Sequence, residues 1–376
     1  MKIVHIITGL NNGGAEGVLY RLVINDKENE HIVVSMMDAG KYGPLLIECG
    51  IQVICLEMSG GRFSLSSVIQ LYKKLKLIKP DIIQTWMYHA DLIGGVVGRI
   101  AGVKRIFWNI RHSTFDPTYT KKSTIIIAKL CGKLSSLIPE KIICCAESAV
   151  VAHLDLGYSQ NKIIVINNGY DLLKFRLNYE LKENLCQELG LKKYPILGMV
   201  GRYDPQKNHI GLIDALKCVK NSSKNFYLIL VGKGLNSSNI ELVEYINKAG
   251  LAENVYLLDQ RNDIDKIMNS LDIHILSSSY GEGFPNVIAE AMACGTPCVA
   301  TDVGEAKRII EKDGWIVEPN NIHDLAEKII IALDEMKNIE TWDNLKLKVR
   351  KKVLDNYDIN KMITKYNTVW NGETCE

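Results

Sequence analysis

The stretch GEGFPNVIAEAMACGTP, Gly281 to Pro297, sets two carboxylates, Glu282 and Glu290, among small and apolar neighbours. Desolvating an unpaired acid costs several kcal/mol, so such acids call for a task that needs their charge. Pro285 suits the first position of a helix. The N–H groups around Gly283 to Val287, a run that includes Phe284 and Asn286, would then open outward as an anion site. Gly281 and Gly283 let an anionic group approach the backbone closely. Glu290, further along the helix, can accept two hydrogen bonds from a vicinal diol such as a ribose. Glu282, on the loop, can meet hydroxyls of a sugar held beside the phosphates, and Asn286 can reach the same sugar. A helix terminus alone is worth roughly 0.3–1 kcal/mol when exposed and about 2 in favourable sites, too little for a diphosphate. The stretch GRYDPQKNH supplies the missing cations: Arg202 offers a planar fork and Lys207 a point charge. Phosphate at the helix start, diol within and hydroxyls at the loop form the layout of a nucleotide-sugar site. Taken singly, each residue could be a solvated loop or helix-surface charge; the combination carries the reading.

The elements that must position these residues are legible as short apolar runs. Strands are expected at KIVHII (2–7), HIVVSM (31–36), QVICL (52–56), DIIQTW (81–86), RIFWNI (105–110), KIICC (141–145) and KIIVI (162–166). A second series runs PILGMV (195–200), FYLILV (226–231), NVYLL (254–258), DIHIL (272–276), PCVAT (297–301) and WIV (315–317). In the first half, amphipathic stretches at 15–24, 64–78, 89–101, 121–136 and 146–155 fill the gaps. Helical patterns also separate the strands of the second half. This rhythm predicts an α/β chain of two Rossmann-like, doubly wound parallel-sheet domains. The rhythm pauses between NNGYDLLKF and NLCQELGLKKYP, which puts the domains at 1–170 and 171–357, with a last helical segment at 358–376. Two such lobes facing across a cleft hold ligands at the carboxyl ends of their strands, where both motifs lie.

Composition bounds the remainder. The 376 residues are 47% hydrophobic and 23% charged, as in a folded globular protein. Ten cysteines, Cys375 among them, show no CxxC pairing, so free buried thiols in a reducing compartment are expected rather than a zinc site. MKIVHIITGL is too short an apolar run for a signal peptide core, and no stretch reaches the roughly 18–20 apolar residues of a membrane span. A cytoplasmic location follows. Residues 1–170 hold 19 Lys and Arg against 13 Asp and Glu, whereas residues 171–376 hold 26 against 30. The first-half excess includes Lys73, Lys74, Lys76 and Lys79, and Lys121, Lys122, Lys129, Lys133 and Lys141, interleaved with Ile and Leu. That pattern suits either an anionic membrane surface or an ordinary solvated helix face. No basic-aromatic stripe points to nucleic acid.

Glu282-x7-Glu290, together with Arg202-x4-Lys207, resembles the retaining family 4 glycosyltransferases of GT-B fold. TGLNNGGAE, TWMYHADLIGGVVGRIAGV and NNGYD resemble the same family, so the likeness spans nearly the whole chain. It implies a donor nucleotide-diphosphate sugar, UDP-linked by preference, held mainly by the second lobe. Glu290 would take the ribose, Glu282 the transferred hexose or N-acetylhexosamine, and Arg202 and Lys207 the diphosphate. The first lobe would bind the acceptor, and the last helix would cross back onto it. Retention is explained in this family by front-face attack, which needs no strong protein base, no metal and no cofactor.

Gly13 and Gly14 would then bring backbone N–H groups to the phosphates. The order Gly9-x3-Gly13-Gly14-x2-Gly17 is not G-x-G-x-x-G, which disfavours a nicotinamide dinucleotide. His89 and His112 each follow a strand, and either could face the reacting sugar; Arg111 could contact acceptor phosphate. Asp263-x-Asp265 has the spelling of a metal-binding pair but opens a helix, where Asp is an ordinary cap; Arg261 and Asn262 beside it would border the base. The implied acceptor is a polyprenyl-diphosphate-linked saccharide in cell-surface polysaccharide assembly, reached on the cytoplasmic face of the inner membrane. Two alternatives share the scaffold: a nucleotide-sugar epimerase or hydrolase, and a non-catalytic nucleotide-sugar-binding subunit of a synthase.

Overall fold

The computed structural model describes residues 1–58, 64–115, 120–191 and 194–373. Its strands are β1 (Lys2–Ile7), β2 (Glu30–Ser35), β3 (Gln52–Cys55), β4 (Ile82–Trp86), β5 (Arg105–Ile110), β6 (Lys141–Cys144), β7 (Ile163–Val165), β8 (Ile196–Val200), β9 (Tyr227–Val231), β10 (Val255–Leu257), β11 (Ile273–Leu276), β12 (Cys298–Thr301) and β13 (Trp315–Val317). The helices are α1 (Gly14–Asn25), α2 (Tyr42–Glu48), α3 (Leu65–Ile78), α4 (Tyr88–Ile100), α5 (Lys122–Leu134), α6 (Glu147–Leu154), α7 (Glu180–Leu189), α8 (His209–Asn221), α9 (Ile240–Lys248), α10 (Ile264–Ser270), α11 (Asn286–Ala293), α12 (Ala306–Ile310), α13 (Ile322–Glu335), α14 (Ile339–Asn356) and α15 (Ile359–Asn371). Each expected strand is present within one or two residues of its expected ends. Helix α2 lies outside the expected helical stretches. Pro44 lies in its first turn, where a missing N–H breaks no intrahelical bond.

Unit 1 comprises Met1–Gly169 with Ile359–Glu376, and unit 2 comprises Tyr170–Asp358. The unit 1 sheet has the order β3-β2-β1-β4-β5-β6-β7 and the unit 2 sheet β10-β9-β8-β11-β12-β13, with every strand pair parallel. In each sheet the order reverses beside the unit's first strand, between β1 and β4 and between β8 and β11. A crevice opens outside the strand carboxyl ends at such a reversal.

Helix α15 belongs to unit 1 because of what its inner face meets. Ile363, Tyr366, Val369 and Trp370 join the core formed by Ile3, Leu19, Trp86 and Phe107. Tyr366 Oη accepts from Asn109 at 2.6 Å and from Arg111 at 3.0 Å, and Trp370 Nε1 donates to Gln84 at 3.1 Å. Burying one indole removes roughly 150–250 Å² from water, an upper-bound gain of about 4–6 kcal/mol. Beneath it runs a buried chain whose direction is fixed, since an indole can only donate. Trp86 Nε1 donates to His5 Nδ1 at 3.2 Å, His5 Nε2 to His31 Nδ1 at 2.9 Å, and His31 Nε2 to Asp26 at 3.1 Å.

Nine cysteines are described, all as free thiols, and Cys375 lies outside the described residues. Cys131, Cys144, Cys145, Cys294 and Cys298 are buried as expected, but Cys49 is exposed and Cys55, Cys186 and Cys218 are half-buried.

Candidate functional site

The two motifs of unit 2 meet at the β8/β11 crevice because their strands are neighbours. Gly201 to Asn208 follow β8, and Ser277 to Pro285 follow β11. Backbone and side-chain bonds stitch the two loops together. Ser279 N–H donates to Gln206 O at 2.8 Å, and Ser277 Oγ donates to Lys207 O at 2.9 Å. Lys207 Nζ meets Glu282 Oε1 at 2.5 Å, and Ser278 Oγ donates to the same oxygen at 2.7 Å. This ion pair is internal, with side-chain exposures of 12% and 10%. Arg202 is the contrast. Its guanidinium is 55% exposed and is held only at its edge, by Asp204 at 3.0 Å and Gln206 at 3.1 Å. The crevice therefore presents one built-in cation and one reaching cation.

Helix α11 starts later than the sequence suggested. Pro285 is the residue before its first turn rather than the first helical residue, so Asn286 and Val287 open the helix. Gly283, Phe284 and Pro285 are buried loop instead. The reason lies in the next loop, where Gly304 sits at φ +58° with no room for a Cβ against the Glu282 and Gly283 carbonyls. Glu305 N–H donates to Gly283 O at 3.0 Å. Pro285, at the cap position of α11, has no side-chain acceptor to offer the first turn, which makes that end suited to an anion. Glu290 resolves the puzzle of an acid inside a small-residue helix. Ile288, Ala289, Ala291, Met292 and Ala293 are buried, whereas Asn286, Val287 and Glu290 share the half-open face.

Two supports of this turn escaped the sequence. Tyr170, fully buried, donates from its hydroxyl to Asn286 Oδ1 at 2.6 Å. Tyr357 packs edge-on to Phe284 with ring centroids 5.3 Å apart, and its carbonyl accepts from Tyr170 N–H at 2.9 Å. A lone aromatic far away in the chain carries no local pattern that would reveal either.

Arg261 and Asn262 follow β10, the edge strand, two strands away from the crevice. Arg261 is gripped by Glu188 at 2.5 Å and by Asp263 at 2.7 Å, and these carboxylates raise its already high pKa. Its guanidinium thus ties α7 to the start of α10, while Asn262 is exposed. Asp263 does not cap α10 with its side chain, because Arg261 holds the carboxylate.

In unit 1, Gly13 and Gly14, His89, and Arg111 with His112 lie at the carboxyl ends of the adjacent strands β1, β4 and β5. The start of α1 is already covered: a Cβ at Gly13 would collide with the Glu16 carboxylate, which folds back over the helix end. Burial raises the pKa of Glu16, its own backbone N–H opposing. A phosphate approaching Gly13 and Gly14 therefore has to displace an acid that the glycine pattern did not disclose. His89 is half-buried in the first turn of α4, and His112 lies edge-on to Phe115 at 5.8 Å; burial lowers the pKa of both. Arg111 is engaged by Asn168 and Tyr366, and its guanidinium lies 4.9 Å from the Trp86 ring centroid. Below His89, Asp91 accepts from Thr85 Oγ1 at 2.5 Å, and burial pushes its carboxyl well above the usual range.

Comparisons to known proteins bear on the family and the fold. Residues 12–173 match the sequence model of Glycosyltransferase Family 4, and residues 182–351 that of Glycosyl transferases group 1. The chain is 29% identical, over 315 residues, to the UDP-Gal:alpha-D-GlcNAc-diphosphoundecaprenol alpha-1,3-galactosyltransferase of Escherichia coli, covering 81% of this chain and 79% of that one. It is 28% identical, over 345 residues, to the N,N'-diacetylbacillosaminyl-diphospho-undecaprenol alpha-1,3-N-acetylgalactosaminyltransferase of Campylobacter jejuni, covering 87% and 89%. The Anabaena protein HepE, solved in complex with UDP, superposes with a TM-score of 0.86 at 22% identity over 99% of this chain and 100% of its own; at that identity the likeness is one of fold. With a family 4 domain in unit 1 and a group 1 domain in unit 2, each a doubly wound parallel sheet, the chain belongs to the family 4 glycosyltransferases of GT-B fold.

Proposed function

We propose that this glycosyltransferase moves a hexose or N-acetylhexosamine, with retention, from a UDP-sugar to a polyprenyl-diphosphate-linked saccharide in cell-surface polysaccharide assembly. The observation that carries the reading is the β8/β11 crevice, where Lys207 and Glu282 are locked together beside the open guanidinium of Arg202 and the start of α11. Arg202, Lys207 and the α11 N–H groups take the diphosphate, Glu290 the ribose hydroxyls, and Glu282 with Asn286 the sugar. Two similar enzymes whose names specify undecaprenyl-diphosphate acceptors support the acceptor class. The first of these names also specifies a UDP-galactose donor, which supports the uridine base.

Transfer proceeds by attack of the acceptor hydroxyl on the anomeric carbon from the face that the diphosphate leaves. The carbon–oxygen bond to the β-phosphate breaks as the new glycosidic bond forms. The hydroxyl proton passes to the departing phosphate oxygen. Cations fixed where that oxygen gains charge contribute most of the rate, since a preorganised group of this kind is typically worth a factor of about 10²–10³. The reaction consumes no redox equivalent and draws its positive charge from Arg202 and Lys207. Unit 1 takes the acceptor, with His89, His112 and Arg111 at its strand ends. The outer surfaces of α3 and α5 mix lysines with exposed Leu65, Leu77, Ile126 and Leu130, which favours a peripheral seat on the anionic cytoplasmic leaflet. Among the described residues no helix is long and apolar enough to cross a membrane.

The test is transfer of radiolabelled sugar from UDP-, GDP- and ADP-sugars to a polyprenyl-diphosphate monosaccharide in detergent. The reading expects product only with the lipid-linked acceptor, and a large rise in donor KM for Glu290→Ala. Donor turnover without acceptor would indicate a hydrolase or epimerase. UDP binding without turnover of any donor would indicate a non-catalytic subunit.

A further inference from the structure

A cavity of about 600 Å³ opens at the amino-terminal edge of the unit 2 sheet, at the ends of the strands opposite Arg202 and Lys207. Its volume falls within the range of small-molecule sites. Ile196 at the start of β8 and Asp272 just before β11 line it, with walls from α7 and from the carboxyl ends of α8 and α13. Among the described residues three ammonium groups line it, those of Lys182, Lys224 and Lys337, and two carboxylates answer them. Asp272 is fully used: one oxygen meets Lys182 at 2.5 Å and the other accepts from Ile196 N–H at 2.8 Å. A single oxygen of Asp334 takes both Lys224 and Lys337, the latter at 2.7 Å. Each ammonium carries three N–H donors, so charge and donors both exceed what the two acids absorb.

Lysines after a helix end are ordinary companions of its dipole. That account explains Lys224 and Lys337 but not the apolar wall behind them, built from Leu333 and Met336, or the hydroxyls of Ser222 and Ser223 at the rim. We propose that the cavity binds a small organic phosphate of the sugar-phosphate class. The phosphate sits on Lys224 and Lys337, the carbon face packs on Leu333 and Met336, and ligand hydroxyls meet the serines. The site shares no residue with the β8/β11 crevice and stands whether or not the donor reading does.

Cys186 also lines the cavity and is half-buried, so its alkylation by iodoacetamide reports on occupancy at this place alone. Peptide mapping of the full chain would follow that rate with glucose 6-phosphate present. At about four times its dissociation constant, the ligand leaves about one fifth of the sites free, and Cys186 alkylation should slow about fivefold. Glucose should give no protection, and the double variant Lys224→Met, Lys337→Met should lose protection while keeping sugar transfer and thermal midpoint near the parent values. An unchanged rate with glucose 6-phosphate, or protection that survives in the double variant, would overturn the site. Equal protection by inorganic phosphate or by glucose would overturn the sugar-phosphate class.

Discussion

The β8/β11 crevice of unit 2 and the β1/β4 crevice of unit 1 occupy the same place in two similar sheets, yet they are made of different materials. Unit 2 holds formal charges there, with Lys207 and Glu282 paired and buried and Arg202 open to solvent. Unit 1 lines its edge with groups whose charged forms burial disfavours, the imidazoles of His89 and His112 and the carboxyl of Asp91. Its guanidinium, Arg111, is committed to Asn168, Tyr366 and the Trp86 ring. Charge fixed in advance serves a ligand that brings the same charge every time, as a diphosphate does. A half-buried lining in which burial works against ionisation suits hydroxyl-rich ligands, for which hydrogen bonds rather than net charge set the fit. One fold has thus been given two electrostatic characters by a few strand-end residues.

The sharpest way to break this contrast is Lys207→Ala. It removes a charge from the crevice and leaves Glu282 buried without the cation that neutralises it, its Ser278 bond intact. Removing one member of a buried ion pair costs about 3–5 kcal/mol. Loss of the preorganised cation lowers kcat/KM for the donor by a factor of about 10²–10³. Transfer assays and urea melts check both. The double variant Lys207→Met, Glu282→Leu should recover much of the stability and none of the activity, because it removes the stranded acid together with the working cation. Equal loss of activity from neutralising Arg111 would erase the distinction between the crevices.

That pair also marks where the sequence stops being readable. The strands could be read because each is an apolar run bounded by turn residues, and adjacent strand order follows from parallel βαβ winding. Arg202, Lys207, Glu282 and Glu290 could be read as a group through their spacing and their positions after strands. Lys207 and Glu282 are 75 residues apart, and that they neutralise each other depends on the register of two neighbouring strands, which no local pattern encodes. The late start of α11 was hidden for a related reason. Pro285 invites a helix at its own position, but Gly304 and Glu305 hold Gly283 in the loop from a separate element. Glu16 was visible in TGLNNGGAE yet silent, since only the fold shows that its carboxylate returns over Gly13. Helix α2 is only seven residues long, too short to show a helical repeat, and Pro44 in its first turn says nothing against a helix.

Acid should act on both units, in contrast to the Lys207 variant. Burial pushes His153 in unit 1 down to about 4; in unit 2, burial with the Lys207 charge pushes His209 to about 4 and His274 to about 3, all from an ordinary 6.5. The unfolded chain therefore takes up protons near pH 6.5 while the folded chain does not until far lower. Between those values the unfolded state holds more protons, so stability falls as pH falls. The loss is about 1.4 kcal/mol per histidine for each pH unit below 6.5. Urea melts at pH 7.0 and 5.5 should show it, and His209→Phe should remove one of the two unit 2 contributions, leaving that of His274. A stability that stays level or rises on acidification would contradict these burials.

The smallest expected effect tests how finely the unit 2 crevice is held. Tyr170→Phe deletes only the hydroxyl that donates to Asn286 Oδ1, while the ring keeps its packing and the Tyr357 carbonyl keeps its N–H partner from residue 170. A buried hydrogen bond of this kind is worth about 0.5–1.5 kcal/mol net. The lost bond weakens the hold on the Asn286 carboxamide at the opening of α11, where the proposed sugar contact is made. Donor KM should therefore rise by a factor of about 2–10, with kcat moving less, and the thermal midpoint should drop by a few degrees at most. Asn286→Asp, which keeps the acceptor for Tyr170 but exchanges the amide for a negative charge beside the diphosphate, should cost more than Tyr170→Phe. If the two variants were equal, the hydroxyl would be fixing the fold of the turn, and the orientation of Asn286 would not matter to the donor.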